Sequence, residues 1–154
     1  MELSPEENAF VDRMGLVMER FGGARTMGRI YGALLICDPP SPSLTELASA
    51  LQVSKASIST VTRQMVEAGL IERVPAANRQ HRYRVMPGGW SQVLRIQFSG
   101  LRMVLDTLDQ GLAMRASADR DQRQRLEETR DFFAFVDADA SHMLRRYAEY
   151  KKTK

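Results

Sequence analysis

The chain has 154 residues, 44% of them hydrophobic and 27% charged, with a formal net charge of +3. That is ordinary globular composition, sufficient for one well-buried domain or a small domain with an assembly element, and it excludes a disordered or fibrous chain. A single cysteine, Cys37, excludes an internal disulfide framework, MELSPEENAF lacks the apolar core of a signal peptide, and no apolar run reaches the roughly 20 residues of a membrane span, so a soluble cytoplasmic protein is expected.

The first helix is predicted from Ser4 to about Phe21. Pro5 suits the first helical position, Glu6 and Glu7 complement the positive end of the helix dipole, and Phe10, Met14, Val17 and Phe21 recur at helical spacing on one face. Gly22-Gly23 ends it. A second helix, residues 24–37, carries Met27, Ile30, Tyr31, Leu34 and Leu35 on a broad face and stops at Asp38-Pro39-Pro40, because proline cannot continue the hydrogen-bond ladder. Gly28 and Gly32, one turn apart, read as points of close helix approach rather than ligand contacts.

SLTELASAL is predicted as a short helix with Thr45 as its N-cap, Glu46 in the first turn and Leu47, Ala48 and Leu51 on one face. Gln52-Val53 makes the turn. Ser54 caps the next helix, SKASISTVTRQMVEA, and Gly69 stops it. Its inward stripe is Ile58, Val61, Thr62 and Met65, which leaves Lys55, Ser57, Ser59, Thr60, Arg63 and Gln64 outward. Hydroxyls and amides between cations suit a helix lying in a major groove, although the same residues are common on any solvated surface.

The next stretch of chain favours the groove. Residues 70–74 and Arg82–Val85 read as strands joined by Pro75-Ala76-Ala77-Asn78-Arg79-Gln80-His81, a basic wing behind a helix-turn-helix. Residues 54–85 hold Lys55, Arg63, Arg73, Arg79, Arg82 and Arg84 against Glu67 and Glu72, a net +4 in a chain that totals +3. Charge concentrated in this element is the footprint expected for phosphate contacts on double-stranded DNA.

Past Pro87-Gly88-Gly89 a long helix is predicted from near Trp90, with Trp90, Leu94, Phe98, Leu101, Leu105, Leu108 and Leu112 forming a near-heptad seam. Residues 116–118 read as a short connection. The last helix, about 119–151, repeats the pattern with Leu126, Phe133, Val136, Ala140, Met143, Tyr147 and Tyr150. The two long helices can pair as an antiparallel hairpin or serve a homodimer, and the homodimer is favoured because Phe132, Phe133, Phe135 and Val136 cover more than one side. Two copies would match a pseudo-palindromic site with half-sites about 34 Å apart. The expected fold is mainly α with a small β-wing: a winged helix-turn-helix domain over 24–86, and long dimerisation helices over 1–23 and 87–154.

LTELASALQVSKASISTVTRQMVEAGLIERV, with the basic wing and long helices after it, resembles the MarR-type winged helix-turn-helix transcription regulators. MGRIYGALLICDPP with SKASISTVTRQMVEAGLIERV is similar to their GbsR-like branch. The resemblance implies a homodimeric cytoplasmic regulator, usually a repressor, released from DNA by a small-molecule effector bound between the winged domain and the dimer helices. Tyr31, Trp90 and Phe98 are the rings placed to line such a pocket, core packing being their alternative use. Many such wings carry Asp-x-Arg near the tip; here the stretch reads Asn78-Arg79-Gln80-His81-Arg82, making Arg79 the first choice for the minor groove and Arg82 the second.

Other functions find little support. His81 and His142 lie in no cluster of metal-ligand spacing, and no nucleophile motif or phosphate loop is present, so neither enzyme activity nor a cofactor is expected. Cys37 follows an apolar helix without cationic neighbours, which reads as a structural thiol rather than a redox sensor. A winged helix serving only protein–protein contacts is the competing reading, disfavoured because residues 55–64 show no aromatic or aliphatic anchor on the outer face.

Overall fold

The computed structural model describes residues 1–75, 81–114 and 120–154, which form two units, Met1–Gln92 and Val93–Lys154. Helix α1 (Pro5–Arg20) begins in a reciprocal cap, since Ser4 Oγ accepts from the Glu7 N–H while the Glu7 carboxylate accepts from the Ser4 N–H at 2.7 Å. Helix α2 (Arg25–Ile36) lies against α1 where side chains are missing. A Cβ on Gly28 would collide with the Met14 carbonyl oxygen and stand 2.8 Å from the Gly15 Cα, and one on Gly32 would stand 3.0 Å from the Met14 Cβ. The close approach expected of both glycines is therefore present.

That approach corrects the reading of the α1 face. Val11, Gly15 and Met18 are buried, whereas Val17 and Phe21 are 45% and 84% exposed. Gly15 sits at the closest point of the crossing, so the buried line runs through it and the bulkier side chains are displaced to the outer face. Leu35 of α2, also expected inside, is half-exposed, and Ala33 is buried instead.

Helix α3 (Leu44–Leu51) is capped by Ser43 rather than Thr45. Both carry hydroxyls, but only Ser43 has a glutamate three residues on: its Oγ accepts from the Glu46 N–H at 3.2 Å, and Glu46 Oε2 accepts from the Ser43 N–H at 2.6 Å. Gln52 adopts the left-handed conformation, φ 53°, and turns the chain into helix α4 (Lys55–Glu67), where Ser54 Oγ accepts from the Ser57 N–H. The inward stripe is as expected: Ile58, Val61, Thr62 and Met65 are buried, and the Thr62 hydroxyl is satisfied by donating to the Ile58 carbonyl at 2.8 Å. Gly69, with φ 72°, ends α4 by letting the Leu70 N–H reach the Met65 carbonyl and its own N–H reach Val66.

Strands β1 (Ile71–Val74) and β2 (Arg82–Val85) pair antiparallel, Ile71 opposite Val85 and Val74 opposite Arg82. Ile30, Leu47, Leu51, Ile58, Met65 and Ile71 form the core, with Tyr83 packed in from β2. The helix-turn-helix and the base of the wing thus share one apolar centre.

In the second unit, the part of α5 (Gly89–Met114) beyond Gln92 runs antiparallel to α6 (Arg120–Lys152). Asp109 pairs with Arg130, Arg102 Nε lies 3.7 Å from Asp137, and Leu126 packs where a Cβ on Gly111 would stand. The antiparallel hairpin, the less favoured of the two expected pairings, therefore forms, with Phe98, Leu101, Leu105, Leu108 and Phe133 half-buried. It leaves Ile96, Met103, Phe132 and Phe135 in solvent, so pairing within one chain does not cover the apolar surface of these helices. The connection expected over 116–118 lies outside the described residues. None of the described helices is long and apolar enough to cross a membrane.

Candidate nucleic-acid interface

The outer face of α4 is set by its core stripe. With Ile58, Val61, Thr62 and Met65 fixed inward, Lys55, Thr60, Arg63 and Gln64 are exposed and Ser57 and Ser59 half-buried at the edge. Six of the eight residues read from the sequence as DNA contacts therefore lie off the buried stripe of one helix. Thr60 donates to the Ala56 carbonyl at 3.1 Å, which orients its hydroxyl along the helix and leaves its lone pairs outward.

The wing redistributes its charges. Arg84 pairs with Glu72 across the strands at 2.6 Å. Arg82 turns back from the loop: its Nη1 donates to the Ser41 carbonyl at 2.7 Å and lies 3.5 Å from Glu46 Oε2. The expectation of Arg82 as a cation offered to the minor groove is not what this geometry provides. Arg79, the first choice, lies outside the described residues. Among the described residues, Lys55, Arg63 and Arg73 make no ion pair, so they are the cations of this module available to a polyanion.

The wing module is not the sole basic stretch. Residues 145–154 carry Arg145, Arg146, Lys151, Lys152 and Lys154 against Glu149, a second net +4 at the end of α6. Lys151 and Lys152, in its last turn, complement the negative end of the α6 dipole. Charge concentration alone is accordingly weaker support for the α4 surface than the net charge of residues 54–85 suggests.

Glu46 joins the reading motif to the wing. The Ser43 N–H, then the Ser43 hydroxyl, and further off the Arg82 guanidinium hold its carboxyl below the usual glutamate range. A carboxylate with a depressed folded pKa adds stability that is present above its unfolded pKa and is lost as pH falls through the folded value. Glu46→Gln should therefore lower the neutral plateau of the melting-temperature profile slightly and converge with wild type at acid pH, which flattens the acid limb. Parallel profiles for the two proteins would contradict this.

Cys37 caps α2, half-buried, with its thiol directed at the Leu34 carbonyl 3.6 Å away. Burial pushes its pKa up, the negative charges of Asp38 and Glu46 push the same way, and a local backbone hydrogen bond opposes them. The thiolate is disfavoured, as the structural reading requires. Thiol alkylation at neutral pH should be slower than for a free cysteine, and Cys37→Ser should bind DNA like wild type before and after peroxide.

Of the three rings named for an effector, Tyr31 and Trp90 meet edge to face at 5.6 Å, Tyr31 buried and Trp90 43% exposed. Phe98 belongs to the second unit. Among the described residues, no group of three or more His, Cys, Asp or Glu is placed to hold a metal ion.

A capped helix-turn-helix with a polar, cationic outer helix face and an antiparallel hairpin behind it defines a winged-helix DNA reader. The comparisons with known proteins agree. The MarR family matches residues 34–78, and the family described as MmpR5-like MarR family transcriptional regulator matches residues 88–150. The chain is 34% identical over 150 residues to the HTH-type transcriptional regulator MmpR5 of Mycobacterium tuberculosis (strain ATCC 25618 / H37Rv), covering 97% of this chain and 91% of that protein. It is 25% identical over 146 residues to the HTH-type transcriptional repressor OpcR of Bacillus subtilis (strain 168), covering 85% and 78%. A crystal structure of a transcriptional regulator superposes with a TM-score of 0.75 at 34% identity, covering 94% of this chain and 99% of that one. The chain belongs to the MarR family, and it is a DNA-binding transcription regulator.

Proposed function

We propose that this regulator is a homodimeric cytoplasmic repressor that reads its operator through the outer face of α4 and leaves DNA when a small molecule binds. Lys55, Ser57, Ser59, Thr60, Arg63 and Gln64 make the groove contacts, and Arg79 of the wing takes the minor groove. The observation that carries this reading is the outer face of α4, which presents Lys55, Thr60, Arg63 and Gln64 with Ser57 and Ser59 at its edge, beside Ala56 and a terminal Glu67, and exposes no large apolar side chain. Residues 24–86 are the reading domain, and 1–23 with 87–154 are the assembly region.

Dimerisation is supported by what each unit leaves uncovered: Leu16, Val17 and Phe21 on α1, and Met103, Phe132 and Phe135 on α5 and α6. The repressor sense is supported by OpcR, which is named a repressor. Tyr31 and Trp90 supply aromatic surface for an effector of unassigned chemistry. The GbsR-like branch is supported by the pattern of residues 27–74, MGRIYGALLICDPP onward.

Sedimentation of the protein with duplex DNA from upstream of its own gene, combined with footprinting, tests this reading. Two protomers per duplex and two protected half-sites about 34 Å apart are expected. One protomer per duplex with a single short footprint would rule out the dimer.

A further inference from the structure

Two four-residue strands do not hold an orientation by themselves, because an isolated hairpin is marginal in water. The wing here is fixed at two points. β1 is continuous with the end of α4 through Leu70 and Ile71, both buried. β2 is fixed to the linker before α3: the Tyr83 N–H donates to the Pro42 carbonyl at 3.0 Å, and Ser43 and Arg82 form an antiparallel bridge, so residues 42–43 add a stub of third strand.

Arg82 completes this second anchorage with its side chain. Its guanidinium reaches the Ser41 carbonyl on the linker and Glu46 in the first turn of α3, and the Glu46 carboxylate is itself held by the Ser43 N–H in the α3 cap. One side chain thus ties together the linker, the first helix of the helix-turn-helix and the return strand of the wing. A half-buried ion pair at 3.5 Å, still in contact with solvent, adds little stability alone, which leaves orientation as the property most sensitive to it.

We propose that Arg82 is a positioning residue for DNA binding: through Ser41 and Glu46 it fixes the return strand of the wing on α3, so that wing and α4 meet the duplex in one register. This rests on the reading that α4 and the wing contact DNA together. Arg82 touches no DNA; it acts through Glu46.

The test compares the full-length wild type, Arg82→Gln, Glu46→Gln, the double variant, Arg82→Lys and Arg63→Ala on upstream and random duplex over a range of salt. The amide introduced by Glu46→Gln retains an oxygen to accept the Ser43 N–H, and the Tyr83–Pro42 backbone bond is untouched, so the fold persists; melting curves check this. Arg82→Gln and Glu46→Gln should each weaken upstream binding by about three- to tenfold, the double variant no more than the worse single, and Arg82→Lys should recover part of the loss. Loss and a shallower salt slope on Arg82→Gln, with Glu46→Gln binding as well as wild type or better, would place Arg82 on a phosphate and overturn the inference. Additive losses, or lowered melting temperatures at unchanged affinity, would overturn it too. If Arg63→Ala has no effect while the Arg82–Glu46 coupling persists, the assignment of Arg63 as a base contact falls and this inference stands; if wild type binds neither duplex, both fall.

Discussion

Gly28→Ala should destabilise the first unit by about 1–3 kcal/mol, which corresponds to about 4–8 °C of melting temperature per kcal/mol in a unit of this size. The added methyl would collide with the Met14 carbonyl oxygen and stand 2.7 Å from the Met18 Cβ and 2.8 Å from the Gly15 Cα. These are backbone and root atoms of α1, held by its own hydrogen-bond ladder, so no rotamer change relieves the contact and the helices must part. Alanine gains about 1 kcal/mol over glycine in helix propensity, which offsets only part of this. Gly100→Ala in α5 is the control: nothing lies within 4 Å of its added methyl, so only the propensity gain remains and stability should rise slightly. Urea midpoints decide it. Equal midpoints for Gly28→Ala and wild type would mean that α1 and α2 are not in contact through this glycine.

Arg63→Ala should cost about 1–3 kcal/mol in binding to specific DNA, about five- to 150-fold, with almost no change in folding stability. The side chain is exposed on α4 and makes no ion pair among the described residues, so its removal leaves no buried group unsatisfied. Base and phosphate contacts respond differently to such changes. If Arg63 and Ser57 meet base edges, their alanine variants lose preference for particular base pairs, whereas Arg79→Ala weakens binding to every sequence and lowers the salt slope by about one. Equal losses on specific and random duplex in all three variants would remove α4 from the major groove.

The helix-turn-helix was legible because its determinants are local. Ser54, Gly69 and the Ile58–Val61–Thr62–Met65 stripe each act within a few residues, and the structure places them as spacing and cap chemistry dictate. The capping glutamate that selects Ser43 over Thr45 stands three residues along and was equally readable. The α1 face was not: hydrophobic spacing picks the bulkiest residues, while the crossing with α2 buries the line through Gly15. The role of Arg82 was hidden for a different reason, since Ser41 lies 41 positions away and no local pattern reports that contact. The basic end of α6 was open to the same arithmetic that singled out the wing, and reading one window alone concealed it.

On the proposed function, the outer face of α4 reads sequence in duplex DNA. The most direct test is a salt titration of wild type and Arg63→Ala on duplex from upstream of the gene and on random duplex of equal length. Wild type should bind the upstream duplex about a thousandfold or more tighter than the random one at physiological salt, and Arg63→Ala should lose most of that ratio with affinity for random DNA little changed. A wild-type ratio near one, or a ratio untouched by Arg63→Ala, would contradict the account.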